Sequence, residues 1–361
     1  MRQKMLLALG LVMVIMLLVM MGGVSASPAP AEAILAGRPR LDNYQIYFTE
    51  ANTEASRFDR SDVGLSRLGG LLERLGANMY TLEWRNGIPA DADLIIIAGP
   101  VGDFTPEQTA RLWAYLTNQG GRLLVLADPL INKTKAFPSN KGLFELTWTD
   151  LGIRAMDNIL VTEGEMRTIV PEPEEVDEGE PTSTPAPAFE APILLTDFVS
   201  VNLATGRPLT QNIDGGLAFF GARALEVDES FQITEASALV FANSNFYGET
   251  DFNDYLNTGA VTYLPGEEDT PRGMYPVAAV AQNPETGMRI VLIGDRDFAT
   301  NGKGLQTAPA NSPSFVYPGN VGFLLNAITW LLDAEAVEMS FPTPGPTGTP
   351  TLTPTPELET E

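Results

Sequence analysis

The apolar positions in the first third of the chain alternate between the spacing of strands and that of helices. Residues 44–49 have the composition of a strand, and four leucines between Leu65 and Leu75 lie on one face of a helix that Ser61 would cap and Gly76 would end. The segments 93–99 (DLIIIAG) and 122–128 (RLLVLAD) are apolar without alternation, which is typical of strands covered on both faces.

Between these two strands, Thr105, Pro106 and Gln108 form the signature of a capping box at the start of a helix that Gly120 would end. The order β-α-β-β-α-β predicts an α/β fold: a mostly parallel, Rossmann-like sheet with helices on both faces.

Strand and helix patterns continue in the second half of the chain. Residues 237–245, 276–283 and 288–295 have strand composition, and residues 320–332 predict a closing helix with Asn320 as its cap.

The N-terminus carries a membrane signal. Arg2 and Lys4 precede twenty uncharged, mainly apolar residues at 5–24, and a helix of that length spans about 30 Å, the thickness of a bilayer's hydrocarbon core. The basic residues would stay in the cytoplasm, which places the rest of the chain outside the cell membrane as a single-pass protein. The alternative is secretion after cleavage of a signal peptide, because Val24-Ser25-Ala26 resembles a cleavage site.

Two Pro-rich segments cannot build a core. Residues 163–190 hold nine acidic residues against Arg167 alone, and the C-terminal end alternates Pro with Thr or Gly; both compositions predict disorder. The predicted organisation is a cytoplasmic N-terminus (1–4), a transmembrane helix (5–24), a spacer (25–41), an α/β domain in two parts (42–162 and 193–335), an acidic insert between them (163–192) and a tail (336–361).

Composition removes several classes of function. The chain has no cysteine and no histidine, so thiol nucleophiles, Ser-His-Asp triads and thiolate or imidazole metal sites are excluded. With 22 basic and 46 acidic residues the formal net charge is −24, which argues against nucleic acid as a partner.

The segment RIVLIGDRDFATN contains the strongest candidate site. Asp295, Asp297 and Asn301 follow a covered strand, where open α/β sheets bind ligands, and Asp128 follows another. They could contact a ligand or partner, hold a hard cation, or only organise strand ends and turns. If the two strands are neighbours, Asp128 and Asp295 would share a crevice, an arrangement also used in glycoside hydrolysis.

Several motifs resemble the extracytoplasmic domain of the gliding-motility-associated ABC-transporter auxiliary family. They are LSRLGGLLERLG, IPADADLIIIAGP, FTPEQTARLWAYLTNQGGRLLVLADP, NSNFYGETDF, GDRDF with Asn301, and Gly319-Asn320 followed by FLLNAITWLL, spread over about residues 42–335. The resemblance implies a class I glutamine-amidotransferase-like fold. It also implies loss of catalysis, since that fold's active cysteine and histidine are both missing.

The leading hypothesis is therefore a membrane-anchored, non-catalytic auxiliary or binding module without cofactor or metal. Its implied partner is an ABC-transporter permease or another envelope protein, and Asp295, Asp297, Asn301, Asp128 and Asn320 are its candidate contact residues. The alternatives are a secreted or anchored protein that binds a solute or calcium, and a carboxylate-based hydrolase.

Overall fold

The computed structural model of the protein describes residues 29–129, 141–171, 187–213, 215–310 and 312–334. The predicted transmembrane segment (5–24) and the predicted tail (336–361) lie outside these residues. Within the described ranges, no helix is long and apolar enough to cross a bilayer.

The described residues form seventeen strands and six α-helices. The strands are β1 (Ala29–Pro30), β2 (Gln45–Phe48), β3 (Asn78–Thr81), β4 (Leu94–Ala98), β5 (Arg122–Leu126), β6 (Ile153–Ala155), β7 (Ile159–Ile169), β8 (Phe189–Leu195), β9 (Asp197–Ser200), β10 (Asn202–Leu203), β11 (Leu217–Phe220), β12 (Leu225–Val227), β13 (Glu235–Phe241), β14 (Tyr247–Glu249), β15 (Pro276–Asn283), β16 (Met288–Ile293) and β17 (Ser314–Phe315). The helices are α1 (Ala31–Leu35), α2 (Ser66–Arg74), α3 (Pro106–Gln119), α4 (Lys141–Leu151), α5 (Phe252–Thr258) and α6 (Pro318–Leu332).

The central sheet is mixed, so the predicted mostly parallel, amidotransferase-like fold class is wrong. Its eight strands run in the order β10-β13-β15-β16-β5-β4-β2-β3. The five strands from β16 to β3 are parallel to one another. The other three add on in antiparallel fashion beyond β16, and four smaller sheets of two or three strands surround this one.

A short turn explains the antiparallel half. Only residues 284–287 connect β15 to β16, too few for the crossover that parallel neighbours need. The Asn283 side-chain oxygen accepts hydrogen bonds from the amides of Glu285 (2.9 Å) and Thr286 (3.2 Å), which closes the turn. The two strands lie where the sequence patterns predict them, but the turn between them forms a hairpin, which makes β15 antiparallel to β16.

The central sheet separates two apolar layers. Helices α2 and α6 pack on one face with strands β9 and β11, and α3 and α4 pack on the other. Strand β4 is buried at all five positions, which confirms that it is covered on both faces.

The predicted acidic insert is partly ordered. Strands β7 and β8 pair antiparallel and include residues 163–169 and 189–192 of that segment. Strand β7 is buried at its first three residues and mostly exposed from Glu163 onward, so the charged residues lie on a solvated part of a paired strand. Their composition therefore does not prevent strand formation. Residues 172–186 lie outside the described residues.

The helix ends agree only in part with the sequence. The capping box at the start of α3 is present, with Gln108 N donating to Thr105 Oγ1 at 3.2 Å and Thr105 N to Gln108 Oε1 at 2.8 Å. Gly120 ends α3 and Gly76 follows α2, both with positive φ, as predicted. Ser61 and Asn320 do not cap their helices, since α2 starts after Leu65 and α6 after Tyr317.

Replacing Thr105 by alanine should lower the free energy of unfolding by about 1 kcal/mol, because the Gln108 amide loses its acceptor. Urea unfolding of the full chain in mild detergent, followed by tryptophan fluorescence, would measure the change. Thr149→Ala is the control, since the exposed Thr149 hydroxyl donates to Glu145 O and, at 3.4 Å, to Asp150 Oδ2, both within its own helix, and caps no helix end. Equal effects of the two substitutions would contradict a special role of the cap.

Candidate functional site

Two of the predicted aspartates meet at the carboxyl edge of the parallel strands. Strands β5 and β16 are parallel neighbours, with Leu126 opposite Ile293 in the register. Asp128 and Asp295 each follow their strand by two residues, so they arrive at the same level of the sheet. The two strands are neighbours, which was the condition for the sequence-based expectation of a shared crevice.

Asp295 is completely enclosed by protein. Its Oδ2 accepts a hydrogen bond from the Phe220 amide at 2.7 Å, whereas Oδ1 is buried without a partner among the described residues. Burial, and next the charge of Asp128, raise the pKa of Asp295 well above its usual value. Asp295 thus holds β11 against the end of β16.

Asp128 is nearly buried beside a cation. Burial raises its pKa to about 6, and the opposing effect of Arg296 does not cancel this. The Arg296 Nη2 atom lies 3.6 Å from Asp128 Oδ2 and 3.2 Å from Asp297 Oδ1. Asp297, at the start of a 3-10 turn, also accepts from the Thr300 hydroxyl at 3.3 Å. Arg296 therefore lies between the two aspartates that are not fully buried.

The side chain of Arg296 also fills the crevice beside β4. A Cβ atom added at Gly99, directly after β4, would lie 2.4 Å from Arg296 Cδ. Gly99 has a positive φ of 64°, so it provides both the turn and the space for the arginine. The crevice position next to Asp128 is thus occupied by the protein's own side chain.

A second arginine, Arg223, is buried next to these aspartates. Arg223 is fully buried, and it donates from Nε to Met156 O and from Nη2 to Asp157 Oδ1, both at 2.6 Å. Its guanidinium carbon lies 5.0 Å from the centre of the Phe144 ring. Burial lowers its pKa to about 10, so Arg223 remains charged at neutral pH. We call Asp128, Asp295, Asp297, Arg223 and Arg296 the carboxylate–arginine cluster.

The two predicted asparagines lie elsewhere and bind backbone. Asn301 accepts from Arg67 N at 2.9 Å and donates to Asp59 O at 3.0 Å and Ser61 O at 2.7 Å, which fixes the loop before α2. Asn320 exchanges two hydrogen bonds of 2.8 Å with the backbone of Ala218. Both side chains are buried and engaged, so their contacts here are structural.

The carboxylates of the cluster are engaged or enclosed by the protein itself. Across the described ranges, no group of three or more acidic side chains is arranged to hold a metal ion. A carboxylate pair in hydrolysis needs a substrate between its members, but Arg296 stands beside Asp128 and Asp295 is enclosed. The arrangement places carboxylates next to arginines and so holds the ends of β5, β16 and β11 together.

The sequence analysis did not identify the two arginines. Arg296 stands between the aspartates in the sequence, and this D-R-D order could have suggested an internal ion pair. Arg223 lies between two alanines with no motif around it, so only the tertiary structure could reveal its burial.

The buried aspartates predict that the protein loses stability as the pH rises. An aspartate in the unfolded chain releases its proton near pH 4, whereas the folded state raises the pKa of Asp128 to about 6 and that of Asp295 well above its usual value. Their contribution to stability is complete below the unfolded pKa and is lost as pH rises through the folded pKa. For Asp128 we expect a loss on the order of 3 kcal/mol between about pH 4 and pH 6.

The measurement compares unfolding free energies of the full chain between pH 4 and pH 8 with those of the Asp128→Asn, Asp295→Asn double variant. The wild type should weaken more steeply, because Asn keeps an acceptor for the Phe220 amide but cannot ionise. Other buried acids such as Glu249, whose pKa burial raises to about 7, contribute equally to both proteins. Parallel pH profiles would contradict the raised pKa values.

Comparisons with known proteins give only distant similarities. No family model and no curated protein matches the sequence. A structure described as the mmIFT52 N-terminal domain aligns over 80% of this chain and 97% of its own, at 14% identity and a TM-score of 0.48. A ThuA-like protein from Bacteroides uniformis aligns over 81% and 92%, at 10% identity and a TM-score of 0.40.

A third solved structure, alpha-L-fucosidase isoenzyme 2 from Paenibacillus thiaminolyticus, aligns over 81% of this chain but only 33% of its own. Its identity to this chain is 11% and its TM-score 0.33. None of these names matches the family that the sequence motifs resemble. Similarities at this level assign neither a fold family nor a function, so the function has to be argued from the chain itself.

Proposed function

We propose that this chain is a membrane-anchored, extracytoplasmic and non-catalytic module that binds or assembles with an ABC-type transport system or a related envelope complex. Three features support the proposal: the apolar segment 5–24 behind Arg2 and Lys4, the motif resemblance to an ABC-transporter auxiliary family, and a carboxyl-edge crevice that the protein fills itself.

The observation that carries the non-catalytic part is the position of Arg296. Its side chain packs over Gly99 and lies 3.6 Å from Asp128, where a substrate would have to sit to reach that carboxylate. A general base or nucleophile must be within hydrogen-bond reach of the group it acts on. Because Asp295 is enclosed as well, the cluster stabilises the fold and does not act on a substrate.

The partner claim is tested in native membranes. The full chain with an affinity tag is cross-linked in intact cells, purified and analysed by mass spectrometry. The control carries the same first 28 residues fused to an unrelated secreted domain. We expect permease, ATPase or other envelope components to be enriched over this control. Recovery of the same proteins with both baits, or of none, would contradict the proposal.

The anchor is tested separately by the intact mass of the membrane-extracted protein. An uncleaved chain that resists alkaline carbonate extraction is the expected result, because twenty apolar residues match the bilayer core. A mass corresponding to cleavage after Ala26 would support the secreted alternative instead.

A second candidate function, solute binding, is favoured by one cleft outside the carboxylate–arginine cluster. Its volume is about 480 Å³, within the range of ligand pockets. Phe144, Trp148 and the Arg154–Glu226 ion pair line it, a mixture of aromatic and charged groups that suits small polar ligands such as sugars.

Thermal denaturation with a panel of sugars and organic acids tests this candidate. A ligand that stabilises the wild type should have no effect on Trp148→Ala, while Trp113→Ala, on the neighbouring helix α3, serves as the control. If no ligand raises the melting temperature, solute binding at this cleft is wrong.

A further inference from the structure

A cleft lined by arginines lies beside β1, the first strand of the described chain. It has a volume of about 600 Å³ and is bounded by α2, by the loop that precedes α2 and by the pair β1–β17. Arg57, Arg60, Arg67 and Arg74 line it, against Glu73 as the one lining carboxylate. Such a concentration of positive charge is unexpected in a protein with a net charge of −24.

The positive charges of the arginines in this cleft are mostly not neutralised by nearby carboxylates. Arg57 donates to Met79 O at 3.2 Å and Arg67 to Leu305 O at 2.9 Å, which are neutral acceptors. The Nε atom of Arg57 is buried without a partner in the described part of the chain, and Arg60 is exposed. Arg74 lies 3.7 Å from Glu32, a pair in which both side chains are more than half exposed and therefore weak.

The acidic residues of the preceding loop do not line the cleft. Asp59 accepts from the Ser61 amide at 2.8 Å, and Asp62 packs against Gly302. Glu50 and Asp62 act on Arg57 and Arg67 only at longer range. The cleft is therefore lined by four arginines against one carboxylate, although Arg67 also donates to Asn301 O. Guanidinium groups recognise phosphate oxygens well.

An exposed aromatic ring stands at the edge of the same cleft. Phe58 is 64% exposed, and the Arg57 guanidinium carbon lies 3.9 Å from the centre of its ring. Val63, on the same loop, is 55% exposed. Aromatic and aliphatic side chains next to arginines are typical of surfaces that rest in the headgroup region of a membrane.

The tether places this surface near the bilayer. Four residues separate Val24, the end of the proposed anchor, from Ala29 in β1, and the five Cα–Cα steps between them reach at most about 18 Å. Ala31, two residues further on, already lines the cleft. The cleft cannot move far from the membrane surface if the anchor spans it.

We propose that the arginine cleft and the Phe58 loop form a membrane-docking face that binds the phosphate groups of anionic lipids in the outer leaflet. This inference rests on the proposed anchor and adds to it how the domain is oriented relative to the membrane. The rest of the domain is acidic and repelled by anionic lipid. Docking through this face therefore keeps the solute cleft, which lies on the opposite side of the central sheet, away from the bilayer.

The absence of native cysteine makes a direct test simple. Val63→Cys in the full chain is labelled with a fluorophore, and the protein is reconstituted into vesicles of phosphatidylcholine with or without phosphatidylglycerol. Headgroup-nitroxide lipids then quench labels that lie at the surface. Ile233→Cys is the control position, since Ile233 is 63% exposed beside α3 and α4 on the opposite face of the sheet.

We expect strong quenching at position 63 in phosphatidylglycerol vesicles and little at position 233. The Arg60→Gln, Arg74→Gln pair should reduce the docking constant by about tenfold or more, because each arginine near an anionic surface contributes roughly fivefold. Arg85→Gln with Arg154→Gln removes the same charge elsewhere and should have little effect. Phe58→Ser should weaken docking in both lipid mixtures.

Flotation of the vesicles separates failure of the anchor from failure of the docking face. A chain that does not float overturns both. The docking face alone is overturned if the chain floats but its label at position 63 is quenched no more than the label at 233. The same holds if the Arg60 and Arg74 substitutions do not change the quenching. A label shielded from both lipid quencher and aqueous iodide would show that a segment of this chain occupies the cleft, and would also overturn the proposal.

Discussion

Replacing Arg223 by alanine should lower the free energy of unfolding by about 3–5 kcal/mol, one of the two largest effects that we expect in this protein. The guanidinium is fully buried, donates to Met156 O and Asp157, and lies over the Phe144 ring. Alanine leaves a cavity and removes the hydrogen-bond donor of Met156 O. It also removes one of the two positive charges that act on Asp128. Because total stabilities are only about 5–15 kcal/mol, much of the variant would be unfolded at growth temperature.

Urea unfolding of the detergent-solubilised full chain measures this effect. Arg154→Ala is the matched control, since Arg154 also pairs with a carboxylate and lies over an aromatic ring, but its ion pair with Glu226 is about 40% exposed. We expect that control to cost about 1 kcal/mol or less. Similar losses for the two variants would show that Arg223 does not support the cluster as described.

Replacing Gly294 by alanine should also destabilise the fold, by about 3 kcal/mol or more. The added Cβ would lie 2.3 Å from the Arg223 carbonyl oxygen. The backbone cannot move aside easily, because Gly294 O accepts from Arg223 N at 2.6 Å and Gly294 N donates to Val277 O at 2.8 Å. The glycine thus permits the close approach of two backbone segments directly before Asp295.

Gly70→Ala is the control for this substitution. Gly70 lies within α2, and a Cβ added there meets no atom within 4 Å, so alanine should stabilise the helix by up to about 1 kcal/mol. The two melting temperatures should therefore shift in opposite directions. A folded Gly294→Ala protein of unchanged stability would mean that the segments at Gly294 and Arg223 are not held together as described.

The sequence predicted the parallel half of the fold well and the remainder poorly. Strands such as Leu94–Ala98 carry uninterrupted apolar runs, and the capping box at Thr105 is a local hydrogen-bond pattern that is readable from residue types. The direction of β15 depends on the turn before β16, whose NPETG sequence was not interpreted as a hairpin. The order in the acidic segment depends on pairing between β7 and β8, which are distant in sequence.

For the candidate site, the sequence predicted where Asp128 and Asp295 lie, but not what surrounds their carboxylates. Strand ends placed Asp128 and Asp295 together, since parallel neighbours finish at the same edge. Whether those carboxylates face water or protein depends on Arg223 and Arg296, which approach from other elements and have no sequence signature. The absence of histidine and cysteine limited the chemistry, but the enclosure of Asp295 became visible only in the folded chain.

The central claim is that the carboxylate–arginine cluster serves the fold while other surfaces of the module serve its partners. The most direct test compares cross-linked partner recovery by the wild type and by the Asp128→Asn, Asp295→Asn variant, both as full chains in native membranes and both verified as folded. We predict the same envelope components in the same yield. Loss of those components by a folded double variant would contradict the claim and make the two aspartates part of the functional surface.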